Sequence, residues 1–283
     1  MPVKKYRPLT AARRLSSVDT FEDITAHAPL KRLTINRKRS GGRTNGKITI
    51  RHRGGGAARR VRIIDSHREK FDVPARIVSI EYDPNRGARL ALVQYVDGEQ
   101  RYIIAPSGVV VGQTIVSSKE RGDMKPGNRF PLSLIPVGIE IHDVEIFPGK
   151  GGTIAKGAGA KIQLMAIEDP YAHLRLPSGE IRLVRMECMA TIGSVSNQDH
   201  RLIRWGKAGR SRHRGIRPIV RGKVMNPVDH PHGGGEARNP IGLKHPKTPQ
   251  GKPALGVKTR REKPTDKFIL QRRPPGRFSK QRG

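Results

Sequence analysis

The feature that most limits this chain is where its charge sits. Of 283 residues, 56 are Lys or Arg and 24 are Asp or Glu, a net charge of +32. Residues 1–60 hold 16 basic and 3 acidic residues, residues 61–203 hold 18 and 17, and residues 204–283 hold 22 and 4. Two strongly cationic ends flank an almost neutral middle. Self-repulsion at that density opposes compaction, so the ends call for a polyanionic partner whose released counterions drive binding. Seven of the aromatic residues fall in the middle: Phe71, Tyr82, Tyr95, Tyr102, Phe130, Phe147 and Tyr171. The middle can bury a core, whereas the ends lack the apolar area needed to offset ordering entropy.

Several classes are excluded early. The one cysteine, Cys188, rules out an intramolecular disulfide framework and a Cys-rich zinc site, and fits a reducing cytoplasm. The opening residues, MPVKKYRPLTAARR, have no apolar core of a signal peptide. No apolar run reaches the roughly 20 residues that span a bilayer, so no membrane partner is expected.

The chain divides into a basic N-terminal arm over 1–60, a β-rich block over 61–124, a second over 125–203 and an extended basic tail over 204–283. The N-terminal arm mixes cations with glycines, in Arg37-Lys38-Arg39-Ser40-Gly41-Gly42-Arg43 and again in Arg51-His52-Arg53-Gly54-Gly55-Gly56. Glycine lets a backbone approach phosphate closely, and arginine supplies planar forks for its oxygens. The patch Asp19, Glu22 and Asp23 is read as starting one helical turn. The first block predicts strands over Val61–Ile64, Ala75–Tyr82, Ala88–Val96, Gln100–Ala105 and Thr114–Ser118, which suits a five-stranded oligonucleotide-binding (OB) barrel. In its second strand Ile77, Ser79 and Glu81 alternate with Val78, Ile80 and Tyr82. Lys125-Pro126-Gly127-Asn128 reads as a boundary. The second block predicts strands over Val137–Ile146, Lys161–Ile167, Ala172–Leu176, Ile181–Val184 and Ala190–Val195, suiting an SH3-like barrel. The tail holds 12 Gly and 10 Pro among its 80 residues, which predicts a segment that orders only against nucleic acid.

Four motifs invite a sharper reading. Pro148-Gly149-Lys150-Gly151-Gly152-Thr153 looks like a phosphate loop, but the NTP-binding loop needs four residues between its first Gly and Gly-Lys-Ser/Thr. A turn presenting Lys150 and Lys156 to a phosphate backbone is the better reading. Asp229-His230-Pro231-His232-Gly233-Gly234-Gly235 supplies imidazoles for metal ligation, with His245 as a third ligand, or for general base catalysis by His230 oriented by Asp229. A glycine-rich loop whose imidazoles bond to or stack on RNA is favoured over both, so no metal and no catalytic residue is assigned. The stretch Arg204-Trp205-Gly206-Lys207-Ala208-Gly209-Arg210-Ser211-Arg212-His213-Arg214 interleaves cations with rings on which bases can stack. Packing of Trp205 on the preceding barrel explains it equally well. The Asp83-Pro84-Asn85-Arg86-Gly87 turn should project Arg86 from its barrel.

These stretches, together with Leu176-Pro177-Ser178-Gly179-Glu180, Ala190-Thr191-Ile192-Gly193, Arg217-Pro218, Val220-Arg221-Gly222 and Met225-Asn226-Pro227-Val228, occur in an order that resembles the family of the universal second protein of the large ribosomal subunit, in its bacterial form. The resemblance implies a mainly β fold, an OB barrel followed by an SH3-like barrel, with arms threaded into large-subunit (23S-type) rRNA. It implies assembly and subunit-association roles, contact with small-subunit rRNA and neighbouring ribosomal proteins, and a place near the peptidyl transferase region. It associates Arg68, Lys70, Arg86 and Lys156 with rRNA contact by the barrels. It also makes His230 architectural, since the reaction in that family is attributed to rRNA. The expected contact set is then Arg51, Arg53, Arg68, Lys70, Arg86, Lys150, Lys156, Arg204, Lys207, Arg210, Arg212, Arg214, Arg217, Arg221, His230 and His232, with no cofactor beyond structural Mg2+ of the rRNA. Three positions depart from the family pattern: Ala57, where His is frequent, Lys156, where Arg is common, and His213, where Trp is frequent.

Two other classes compete. An enzyme would use the His230 loop, and a free nucleic-acid chaperone would share the composition without needing two specific barrels.

Overall fold

A computed structural model describes residues 3–36, 42–236, 240–255 and 260–274. The run from Arg37 to Gly41 in the first cationic stretch lies outside the described residues. The described residues are mainly β, with two short α-helices among them, α1 (Ala11–Arg14) and α2 (Ala208–His213). Strands β1 (Val3–Lys5) and β2 (Ser17–Asp19) pair with each other. They are followed by β3 (Thr34–Asn36), β4 (Arg43–Thr44), β5 (Lys47–Ile48) and β6 (Arg60–Arg62), in which β3 pairs with β6 and β4 with β5. Next come β7 (Ala75–Glu81), β8 (Leu90–Tyr95), β9 (Gln100–Ile104) and β10 (Thr114–Ile115), an antiparallel sheet in the order β10-β7-β8-β9. Then follow β11 (Arg129–Pro131), β12 (Glu140–His142), β13 (Ile162–Glu168), β14 (Tyr171–Arg175), β15 (Ile181–Arg185), β16 (Met189–Ile192) and β17 (Ile269–Gln271). These seven form one sheet in the order β11-β16-β12-β13-β14-β15-β17.

Two local expectations need correction. The strand expected over Val61–Ile64 forms as β6 but joins β3 rather than the four-stranded sheet, which keeps only a parallel bridge from Ile64 to Tyr102. Asp65 explains the break: its carboxylate accepts from the amides of His67 (3.1 Å) and Arg68 (2.7 Å) and closes a turn there. In β7 the alternation is interrupted by a bulge between Ile77 and Ser79. The bulge turns Val78 out to solvent and puts Ile80 in the same cluster as Ile77, while Ser79 and Glu81 share the other face.

Both faces of the four-stranded sheet are covered. On one, Ile77, Val93, Tyr95, Ile103 and Ile115 make the barrel core. On the other, Leu90, Leu92, Tyr102 and Ile104 meet Leu30 and Leu33 of the N-terminal segment and Val195 of the second unit. The second core gathers Phe130, Ile141, Ile162, Leu164, Leu174 and Ile192. Full burial of each such side chain contributes about 1.5–3 kcal/mol. Every buried apolar side chain among the described residues lies between Ala75 and Val195. The cationic ends therefore own no core. They dock on the barrels instead, as β17 does by extending the sheet beside β15.

The acidic patch near the N-terminus is not a helical turn. Asp19 and Asp23 grip Arg89, a buried guanidinium just before β8, at 2.6 and 2.8 Å. Phe21, between them, lies 5.2 Å from the same guanidinium carbon. Removing a charge this deep from water is costly unless it is paired on several sides, so these two carboxylates are what lets the N-terminal segment seat on the barrel.

Candidate nucleic-acid interface

Two cationic stretches more than 150 residues apart run side by side. Gly54 N–H donates to Gly215 O (2.9 Å), Ala57 N–H to His213 O (2.8 Å) and Arg217 N–H to His52 O (3.0 Å). Arg53 and Ile216 form an antiparallel bridge, and His52 Nδ1 lies 2.8 Å from Pro218 O. Arg59, which the sequence reading passed over, ties this junction to the first barrel by donating to His213 O (3.2 Å) and Pro84 O (3.3 Å). Its signal was weak, since it sits among several other arginines.

The junction collects Arg51, Arg53, Arg212, Arg214 and Arg217 on adjoining backbone. α2 carries Arg210, whose guanidinium donates to Ser17 O (3.3 Å), and Arg212, which donates to Ile216 O (3.3 Å). Trp205 lies under Arg214, whose guanidinium carbon is 3.8 Å from the ring centroid. Arg204, Lys207, Arg217 and Arg221 are exposed. The ion pairs nearest to the arms leave these cations out: Asp19 and Asp23 pair with Arg89, Asp83 with Arg86, and Asp266 with Arg260 and Arg272.

The barrel cations behave differently. Arg86 turns back on Asp83 (2.7 Å) instead of projecting from its turn. Lys70 is held by Asp97 and Glu99, which raise its pKa in that order. Arg68 departs furthest from expectation: it is 3 % exposed, adopts φ +51° and donates to Gly127 O (2.9 Å). Burial, followed by the nearby Arg129, brings its pKa down to about 10. It lies at the seam of the two barrels, not on their surface. Lys156 donates to Gly152 O (2.7 Å) and approaches Asp143 (3.5 Å).

In the glycine loop, the amides of Gly149 and Gly151 donate to the buried Glu145 carboxylate at 3.2 and 3.1 Å. This anion-binding concavity is thus already filled by the protein's own carboxylate. Glu145 also takes Arg129 (2.9 Å). What the loop offers outward is Lys150, which is exposed beside Phe147.

The histidine loop closes on itself. The His232 amide donates to His230 Nδ1 (3.0 Å), and the Lys247 amide donates to His232 Nε2 (2.8 Å). Both imidazoles therefore serve as acceptors for backbone, with ring centroids 4.7 Å apart. His230 is buried against Gly222, where a Cβ would stand 2.5 Å from the ring. At Gly233 a Cβ would lie 2.2 Å from Asn226 O, so the triple glycine lets the loop fold back on Asn226. Among the described residues, no group of three His, Cys, Asp or Glu side chains is placed to hold a metal ion. No helix among them is long and apolar enough to cross a membrane.

Two family models match this chain. Residues 30–117 match the model described as Ribosomal Proteins L2, RNA binding N-terminal domain, and residues 125–251 match Ribosomal Proteins L2, C-terminal domain. The chain belongs to the ribosomal protein L2 family. It is a structural protein of the large ribosomal subunit with an RNA-binding N-terminal domain. The first match begins at residue 30, where Leu30 and Leu33 pack onto the first barrel and β3 pairs with β6. The second runs through the arm junction and the histidine loop.

Proposed function

We propose that the chain binds 23S-type rRNA chiefly through the cations of its two arms, while the barrels fix register by shape. One contrast carries the reading. Cations on the barrels, such as Arg86, Arg89 and Arg129, have carboxylate partners, whereas the ion pairs seen in the structure include none of the junction's Arg51, Arg53, Arg212, Arg214 and Arg217. Two cationic strands side by side repel each other, and a phosphate chain laid along them removes that cost while releasing counterions. Phosphate contacts then supply affinity and position, with bases contributing less. By holding rRNA helices together in this way, the protein supports assembly, subunit association and the form of the peptidyl transferase region, in contact with small-subunit rRNA and neighbouring ribosomal proteins in the cytoplasm. It performs no catalysis of its own, and any Mg2+ is held by the rRNA.

A salt titration of binding to the isolated rRNA domain tests this. The log–log slope should be steep, about −0.7 to −0.9 per neutralised phosphate. A flat response would remove the electrostatic account. Sedimentation of a cell extract separates the ribosomal role from that of a free chaperone: absence of the chain from large-subunit fractions would favour the latter.

A further inference from the structure

Beside the arm junction, four segments far apart in sequence close on a cavity of about 300 Å³. That is the lower end of the roughly 300–1,000 Å³ range of small organic ligand sites, enough for one planar heterocycle. Phe21, Tyr82 and Trp205 line it, with Arg59, Arg214 and His200. Phe21 and Tyr82 meet edge to face at 5.4 Å, and Arg214 lies flat enough on Trp205 to bring its guanidinium carbon 3.8 Å from the ring centroid. Tyr82 is 43 % exposed and Trp205, the chain's one tryptophan, 36 %. These rings are not packing a core. His200 is half-buried, and burial together with Arg214 lowers its pKa, which favours the neutral imidazole with its one donor and one acceptor. The one carboxylate in the lining, Asp19, is engaged by Arg89 and by Asn197. A lining of rings, a guanidinium plane and a neutral imidazole matches the edges and faces of a nucleobase.

We propose that this cavity receives one unpaired nucleobase of the bound RNA, stacked against the Arg214–Trp205 pair, with the flanking phosphates on the arm cations. The proposal rests on the RNA-binding reading and adds a base-specific site to it. Of the two readings that Trp205 allows, the proposal takes the one in which the ring serves the ligand.

The lone tryptophan makes the test direct. The full chain is titrated with hexaadenylate and with an abasic phosphodiester strand of the same length, following both anisotropy of a labelled strand and Trp205 emission. The proposal expects both strands to bind, hexaadenylate roughly 5- to 100-fold more tightly, as one stacked base implies, and only hexaadenylate to quench Trp205. Ala58→Leu, at an exposed lining position, should fill the cavity and abolish the quench while leaving the salt slope unchanged. Arg214→Lys keeps the charge and loses the plane, so it should weaken the quench as well. Equal quenching by the abasic strand, an unchanged quench in Ala58→Leu, or equal quenching by hexaglutamate would overturn the base site while leaving the RNA-binding reading intact. Failure of both strands to bind would bring down both.

Discussion

Gly56 and Gly215 approach so closely that a Cβ on Gly56 would lie 2.8 Å from the Gly215 amide nitrogen. This contact lets two like-charged strands join backbone to backbone. Gly56 does not adopt a left-handed conformation, so Gly56→Ala is a purely steric change. Overpacking of this kind costs about 1–3 kcal/mol, which should appear as a roughly 5- to 100-fold loss of affinity for the rRNA domain. Gly209→Ala, where a Cβ meets nothing within 4 Å, is the control and should bind normally. Equal affinities for the two variants would show that the strands need not join to bind.

Arg89 sets a second expectation. Its guanidinium is 1 % exposed and joined to both Asp19 and Asp23. Arg89→Met strands two carboxylates, one of them buried, and breaking a buried pair costs about 3–5 kcal/mol. The urea midpoint should fall accordingly, and limited proteolysis should cut ahead of residue 30 sooner than in the parent. Unchanged cleavage would mean that the N-terminal segment is held by something other than this pair.

The reach of the sequence is clearest where these residues were misread. The charge partition was legible because it needs only counting, and the β-rich middle because strands and turn signals repeat at short range. The union of residues 52–57 with 213–218 was not, since nothing local announces that two like-charged segments will pair. Arg68 joins the expected contact set through the family resemblance alone, and nothing local in the sequence announces its burial, since arginine is rarely buried. Its place at the seam follows from Asp65, Gly127 and Arg129, which the chain brings together only when folded. Period-2 alternation cannot reveal the bulge that turns Val78 outward. Nor can the Gly149–Gly151 turn reveal that Glu145 fills it.

His142 makes stability depend on pH. Its Nδ1–H donates to Gly193 O (2.7 Å), and its Nε2 is buried without a partner among the described residues. Burial brings its pKa down to about 4, from an ordinary 6.5. The unfolded chain therefore takes up a proton between pH 6.5 and 4 that the folded chain refuses. The stability is fully present above pH 6.5 and is lost as the pH falls through this window, by up to about 1.4 kcal/mol per pH unit. Urea midpoints measured at pH 7.5, 6 and 5 should decline, and His142→Gln should flatten the decline. An equal decline in the variant would assign the effect to other groups.

His230 provides the last test, because it separates architecture from chemistry. A general base needs a free ring nitrogen in reach of the reacting proton. Here Nδ1 accepts the His232 amide (3.0 Å), and the ring is pressed against Gly222. Glutamine can accept the same amide through its side-chain oxygen, so His230→Gln should keep the loop closed while removing any imidazole chemistry. Reconstituted subunits carrying it should lose peptide-transfer rate only in proportion to their assembly defect, read as single-turnover rate per correctly sedimenting particle. Gly222→Ala should do the opposite: it leaves the imidazole in place but pushes a methyl to within 2.5 Å of it, so assembly should suffer while the histidine is retained. A drop of several orders of magnitude in fully assembled His230→Gln particles would return the loop to the status of an active site.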